Sequence, residues 1–388
     1  MDEISAVDLF AGAGGVSLAA KKAGITVKAA VELDKDACDT YRKNFVDGVD
    51  CKEKVYETDI NTLQPENILA DVGMEPGELD ILMGGPPCQG YSRHRFKDQG
   101  VNDPRNKLLF RYFDFVSAFK PKVFIVENVP GLLWKRHKSF LTRFFELANS
   151  SGYKVFSPEK INAKDFGVPQ NRQRVFILGV RNDIRVDDLE WPPKPTHFSP
   201  KSSSKPVWKN ASTVFEKPDS ISLIQEIIKV IGREEFDSLE FGSKLKSKDK
   251  NNIHMNHKDY MVDRFSRTPI HGGREDSGDI LNCHSNGYKG HKDTYGRIYL
   301  TKPGPTMTTG CMNPSKGRFL HPWENHGITL RHAARFQTFP DDFSFSGGLI
   351  SQARQIGNAI PIELGVKLLK QVKEFVQLRK YEINRDAG

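Results

Sequence analysis

An α/β fold built on a largely parallel sheet, joined to a second, smaller and irregular domain, is what this sequence predicts. Three observations lead there. Short apolar or β-branched runs alternate with helix-like stretches through the first half, which is the rhythm of βαβ units. Near Trp191 that rhythm is broken by Trp-Pro-Pro-Lys-Pro and a Ser/Lys-rich run through Lys205. The chain has 388 residues, 38% hydrophobic and 27% charged, enough for two globular domains and too ordered in composition for a disordered chain.

In order, the predicted strands are Ala6–Phe10, Val27–Glu32, Leu79–Met83, Val123–Glu127 and Arg174–Val180. Helical spacing places Val16–Ala23, Asp36–Asn44, Leu108–Phe119 and Ser139–Ser150 between them. Beyond Lys205 the chain is rich in Lys, Asn, His and Gly, with turn signals at Gly272-Gly273 and Asn286-Gly287 and one helical pattern at Ile221–Ile231. Helical periodicity returns at Thr329–Phe336 and Leu364–Leu378. The division expected is 1–183 as the first part of one domain, 184–325 as the second domain, and 326–388 as a return to the first. In an open α/β sheet, ligands collect at the carboxyl ends of the strands, so the chemistry is expected there.

No window approaches the roughly 18 uninterrupted apolar residues of a membrane helix, and the acidic Met1-Asp2-Glu3 start is unlike a secretory signal, so a cytoplasmic protein is expected. The five cysteines (Cys38, Cys51, Cys88, Cys283, Cys311) include no CxxC pair, which predicts free thiols and no metal. The net charge of +8 is uneven: residues 1 to 90 carry 8 Lys+Arg against 17 Asp+Glu, a net of −9, leaving +17 for the rest. An acidic first segment suits a cationic small ligand, a basic remainder suits nucleic acid, and simple solubility explains both equally well.

Asp8-Leu9-Phe10-Ala11-Gly12-Ala13-Gly14-Gly15 reads as a strand running into a glycine turn that opens a helix, where backbone approaches a nucleotide closely. Ser17 stands where the dinucleotide pattern would place its third glycine, which argues against a nicotinamide cofactor. Glu32, at the end of the next strand, is placed to bind ribose hydroxyls. Cys88 lies in Gly84-Gly85-Pro86-Pro87-Cys88-Gln89, with Arg93, His94, Arg95, Lys97, Arg105 and Lys107 after it. A lone cysteine is usually a small buried hydrophobe, but neighbouring cations favour the nucleophilic thiolate. Glu127 ends an apolar strand, where desolvation would make it a proton donor; a helix cap or a partner for Lys122 are the bland alternatives. Arg172 and Arg174, two apart in an extended segment, are expected on one face as a pair of guanidinium forks.

Taken in order, Asp8–Gly15, Glu32, Asp59, Pro87-Cys88-Gln89, Glu127-Asn128-Val129, Gln170–Arg174, Thr329–Asp341 and Gly357-Asn358-Ala359-Ile360-Pro361 resemble the DNA (cytosine-5) methyltransferase family of prokaryotes and phages, restriction-modification type. The likeness spans nearly the whole chain and implies a Rossmann-like S-adenosylmethionine-dependent methyltransferase sheet with a target-recognition domain. It implies Cys88 as the nucleophile adding to cytosine carbon 6, Glu127 at ring nitrogen 3, and Arg174, with Arg172 nearby, at the ring carbonyl. It also implies an S-adenosylmethionine site made by Phe10, Gly12, Gly14, Glu32, Leu33, Asp59, Ile60, Pro87 and Asn358.

The implied partner is double-stranded DNA bound by a monomer, with the target base flipped out and Gln89–Arg105 closing over it. A cognate restriction endonuclease would act on the same site without a stable complex, and the protein would be associated with the nucleoid. Lys244–Asn256 and Arg264–Asp276 offer cations and amides suited to reading base edges. One position departs from the family pattern: His332 stands where a glutamate is usual, which puts local packing in question. Alternatives are methylation of cytosine in tRNA, a catalytically silent DNA-binding regulator, and a nicotinamide-dependent oxidoreductase if the glycine turn is read alone.

Overall fold

The computed structural model describes residues 3–47, 52–87, 107–278 and 293–386, without the side chains of 380–386. The chain forms two compact units. The first comprises Met1–Asn162, Gln173–Lys194 and Ile362–Gly388; the second comprises Ala163–Arg172 and Pro195–Pro361.

Among the described residues, the first unit holds an eight-stranded mixed sheet: β1 (Ser5–Leu9), β2 (Thr26–Glu32), β3 (Lys54–Glu57), β4 (Ile81–Gly84), β5 (Val123–Asn128), β6 (Tyr153–Val155), β7 (Glu159–Asn162) and β8 (Gln173–Arg181). Their order is β3-β2-β1-β4-β5-β8-β6, with β7 also on β8. The pairings β3-β2, β2-β1, β1-β4 and β4-β5 are parallel, and every pairing of β8 is antiparallel. The largely parallel sheet is therefore present, with an antiparallel side that the sequence pattern did not announce.

Around it lie α1 (Gly15–Lys22), α2 (Lys35–Phe45), α3 (Pro65–Val72), α4 (Leu108–Phe119) and α5 (Lys138–Ser150). Val7, Leu9, Leu82, Phe124 and Val126 point to one face of the sheet, where Tyr112, Phe113, Phe115 and Phe144 of α4 and α5 meet them in a fully buried core. At about 25 cal/mol per Å² of apolar surface removed from water, burial of this aromatic layer contributes strongly to the stability of the sheet.

The second unit has little regular structure beyond α6 (Ile221–Ile231), α7 (Arg233–Asp237), α8 (Asp259–Arg267), α9 (Leu330–Phe336) and α10 (Leu349–Asn358). Irregular backbone leaves carbonyls without ladder partners, and buried arginines supply the donors. Arg297 donates to the carbonyls of Phe265, Thr268, His321 and Glu324 and to Asn325 Oδ1. Its burial pulls the guanidinium pKa down to about 10. Arg331 grips Asp249 with two nitrogens, at 2.5 and 3.1 Å, and Arg335 joins Glu216, Asp341 and Ser243.

These arginine contacts move the division from the one expected at 183/184 and 325/326. Because Arg331 and Arg335 tie α9 to residues 216, 243 and 249, the second unit runs on to Pro361. Only α11 (Ile362–Asp386) returns to the first unit, where it packs on α1. Residues 182–194 also stay with the first unit, since Asp188 and Glu190 meet Arg379 and Gln371 of α11.

Candidate active site

The parallel strands end level with one another. Leu9 pairs with Gly84 and Gly84 with Val126, so the segments leaving β1, β4 and β5 emerge at one edge. The β1 exit turns sharply, with Phe10, Gly12 and Gly14 all left-handed (φ 59, 57 and 87°). The two glycines are needed for different reasons. A side chain at Gly14 would collide with Phe45 and Tyr41, whereas nothing lies within 4 Å of where a Cβ at Gly12 would stand. Gly14 therefore serves packing, and Gly12 leaves a space that a ligand can enter.

Glu32 closes this cradle from the end of β2. Its Oε2 accepts the Gly12 N–H at 2.8 Å, and its Oε1 accepts the N–H groups of Leu33 and Asp34 at 2.9 and 2.8 Å. The carboxylate is thereby locked in place beside the open space, while Leu33 is 65% exposed at the rim. Asp34 caps α2 by accepting from Ala37 N–H. On the β3 side, Asp59 Oδ1 takes both nitrogens of Asn61, and buried Ile60 presents a carbonyl held by Arg111. The cradle is thus open at Gly12 and bordered by the fixed Glu32 carboxylate, a negative group beside a space that a small ligand can enter.

The second cluster is at β4, β5 and β8. Arg174 Nε lies 2.8 Å from Glu127 Oε1, both side chains nearly buried. Glu127 is thus paired with a guanidinium rather than surrounded only by apolar groups, and Lys122, the other candidate partner, pairs with Asp80 at 2.6 Å. Gly85 passes so close that a Cβ there would meet Glu127 Oε2 at 3.2 Å. Asn128 Nδ2 donates to the Pro86 carbonyl at 3.4 Å, holding the chain that continues through Pro87. Cys88, like Gln89–Arg105, lies outside the described residues.

Arg172 does not stand beside Arg174 as a second fork. Strand β8 begins at Gln173, so the period-two alternation stops short of residue 172. The Arg172 side chain is fully buried in the second unit, where it donates to the carbonyls of Met307, Gly357 and Ala359 at 2.7 to 3.0 Å. Gln337 Nε2 donates to the carbonyls of Ile356 and Ala359, and Gln170 joins Gln337, Phe336 and Met307. This polar knot fixes the turn that carries exposed Asn358. Sequence reasoning had no role for Gln337, although it lies inside the motif Thr329–Asp341.

Two further expectations change. Arg264 and Arg274 are buried, 2% and 7% exposed, and Asn251 is held by Gln352 and Phe345, so these residues build the unit and do not present themselves to DNA. Lys244, Lys246, Lys248 and Lys250 are exposed. His332 keeps the packing that its departure from pattern put in question. It completes a capping box at α9: Thr329 Oγ1 accepts the His332 N–H, and His332 Nδ1 accepts the Thr329 N–H, the place a glutamate carboxylate would take. Its Nε2 reaches Glu216 at 3.4 Å.

A family model described as C-5 cytosine-specific DNA methylase matches residues 4–374. The chain belongs to that family. It is 33% identical to the Type II methyltransferase M1.HphI of Haemophilus parahaemolyticus, over 92% of this chain and 82% of that protein. It is 27% identical to the Type II methyltransferase M.AgeI of Thalassovita gelatinovora, over 95% and 98%. Among solved structures, a chain described as a DNA modification methyltransferase encoded within an E. coli prophage shares the fold. Its TM-score is 0.67 at 24% identity, covering 97% of this chain and 100% of that one. Entamoeba histolytica methyltransferase EhMeth shares the fold at TM-score 0.57 and 16% identity, over 96% and 99%. Among the described residues no helix is long and apolar enough to cross a membrane, and no group of three or more His, Cys, Asp or Glu is arranged to hold a metal.

Proposed function

We propose that this cytosine-5 methylase uses S-adenosylmethionine to methylate a flipped cytosine within a specific duplex DNA sequence, through a transient bond from Cys88. The observation that carries the reading is the Glu127–Arg174 pair, 2.8 Å apart, beside the Gly85–Pro87 exit that leads directly to position 88.

Carbon 5 of cytosine is too poor a nucleophile to take a methyl group unaided. Addition of the Cys88 thiolate to carbon 6 raises the electron density at carbon 5. Glu127, with Arg174 holding its orientation, donates a hydrogen bond or proton at ring nitrogen 3 as that charge builds, and the Arg174 guanidinium steadies the ring carbonyl oxygen. The bound cofactor supplies an electrophilic methyl group. The carbon 5 proton then passes to solvent, its bonding pair forms the carbon 5–carbon 6 double bond, the carbon 6–sulfur bond breaks to release Cys88 as thiolate, and nitrogen 3 returns its proton to Glu127.

Phe10, Gly12, Gly14, Glu32, Leu33, Asp59, Ile60 and Pro87 are assigned to the cofactor, with Asn358 carried over from the family motif. Gly14 acts by shaping the turn. Arg172 is reassigned from the base to the support of the 357–359 turn. The second unit is assigned to target recognition, with its exposed Lys244–Lys250 stretch meeting phosphates.

Duplex DNA containing 5-fluorocytosine in the recognition sequence, incubated with protein and S-adenosylmethionine, is expected to give a stable adduct at Cys88, because the fluorine blocks the final elimination. Bisulfite sequencing of DNA from a host expressing the protein identifies that sequence first. No adduct in the methylated context, or unchanged methyl transfer by Cys88→Ser, overturns the mechanism. Labelled methyl appearing in tRNA and not in duplex DNA overturns the substrate.

A further inference from the structure

Strand β1 buries an acid to which the proposed mechanism gives no task. Asp8 is 1% exposed and lies two residues before the turn that starts at Phe10 and forms the cradle. Its Oδ2 accepts the Ser17 hydroxyl at 2.6 Å, while its Oδ1 has no hydrogen-bond partner among the described residues. Ser17 is the residue that occupies the dinucleotide pattern's glycine position. Helix α1 has Gly14 as its N-cap and no side-chain cap, and Ser17 in its first turn is the residue through which Asp8 touches it.

The charged and titratable groups facing Asp8 come from every neighbouring element. Tyr41 of α2 touches Ser17 Oγ at 2.7 Å and donates to Glu53, which pairs with Lys21 of α1 at 2.6 Å. Glu32 of β2, which accepts the Gly12 N–H, and Tyr112 of α4 are near enough to interact electrostatically with Asp8. Three carboxyl groups thus gather behind the cradle, with Lys21 already engaged by Glu53. Burial foremost, with the charges of Glu53 and Glu32 added and the Ser17 hydrogen bond opposing, brings the Asp8 carboxyl up to about 7.

We propose that Asp8 senses the charge of the methyl donor: near neutral pH it is partly protonated when the cradle is empty, and a sulfonium arriving beside the Gly12 turn expels that proton to solvent. The carboxylate left behind favours the cationic donor over its neutral thioether product. This rests on the reading that the Gly12 cradle binds S-adenosylmethionine. No bond other than the O–H of Asp8 is broken. By linkage, a ligand that drives off a proton must bind more weakly where that proton is held firmly.

The test is calorimetric binding of S-adenosylmethionine and of S-adenosylhomocysteine to the full chain, in two buffers of different ionisation enthalpy, across pH 6 to 8. The donor is expected to release a substantial fraction of a proton at pH 7 and to bind about tenfold more weakly at pH 6 than at pH 8, with the product changing much less. Asp8→Asn, nearly isosteric, abolishes the difference; the ligands' own titration cancels between wild type and variant. Ser17→Ala, which removes the hydrogen bond favouring the carboxylate, moves the transition to higher pH and keeps the test decisive if Asp8→Asn does not fold. Equal proton release for both ligands, or release that survives Asp8→Asn and ignores Ser17→Ala, overturns the proposal. Failure of the wild type to bind the donor at any pH overturns the cofactor reading instead.

Discussion

Glu127 and Arg174 form an ion pair of 2.8 Å between the antiparallel neighbours β5 and β8, and each lies one residue inside a polar end of its strand, next to Asn128 and Gln173. Neither side chain is needed by the aromatic core. Glu127→Gln and Arg174→Ala are therefore expected to lower kcat about 10²-fold or more, the usual effect of losing a proton-transfer or charge-stabilising group. The midpoint of thermal unfolding should move by only a few degrees. Methyl transfer into recognition-site DNA, paired with a melting curve of each variant, checks this, and a variant with full activity would remove its residue from the active site.

Arg172 is expected to show the opposite profile. Its guanidinium satisfies three buried carbonyls of Met307, Gly357 and Ala359, so Arg172→Met leaves acceptors without donors. A loss of about 2 to 5 kcal/mol in denaturant unfolding is expected, several times that of Arg174→Ala. Similar stability of the two variants would contradict the separation of roles.

Gly12 and Gly14 also separate. Gly14→Ala forces a methyl group into Phe45 and Tyr41 at a left-handed backbone, and should cost several kcal/mol of stability. Gly12→Ala carries only the backbone strain of roughly 1 to 2 kcal/mol, since its Cβ meets nothing. It should nevertheless weaken S-adenosylmethionine binding at least tenfold, measured by calorimetry at a temperature where the variant is folded.

Acid should loosen the second unit. Burial holds the His332 pKa below its ordinary value, against the pull of Glu216, and the same cause lowers His321 and brings His326 down to about 4. A histidine whose folded pKa is depressed contributes stability in full above its unfolded value near 6.5 and loses it as pH falls toward the folded one. Protonation at His332 would also turn Nδ1 from acceptor to donor against the Thr329 N–H. His332→Gln retains a capping acceptor without the charge change. Its unfolding midpoint between pH 7.5 and pH 5 should fall less than that of the wild type; an identical fall would clear His332 of the effect.

Much of the first unit was legible because its central strands are apolar runs bounded by helix signals: Leu108–Phe119 matches the observed helix residue for residue, and in the second unit Ile221–Ile231 does the same. The strands Lys54–Glu57, Tyr153–Val155 and Glu159–Asn162 were not, being three or four residues long, half polar and near or beside the margin of the sheet. Helix α3, opening on Pro65 with no side-chain cap, gave only its proline as a signal.

What the order of residues determined by itself was the family, the largely parallel sheet, and the strand ends at which the candidate residues emerge. Tertiary structure alone decided that Arg172 and Arg174 part company, because a strand boundary one residue away cancels their shared face. It also decided that Arg264 and Arg274 are internal struts and that Asp8 is buried with Glu53 and Glu32 nearby. Local patterns carry spacing and polarity. Which long side chain finds a carbonyl, and which carboxyl loses its water, depends on segments distant in sequence.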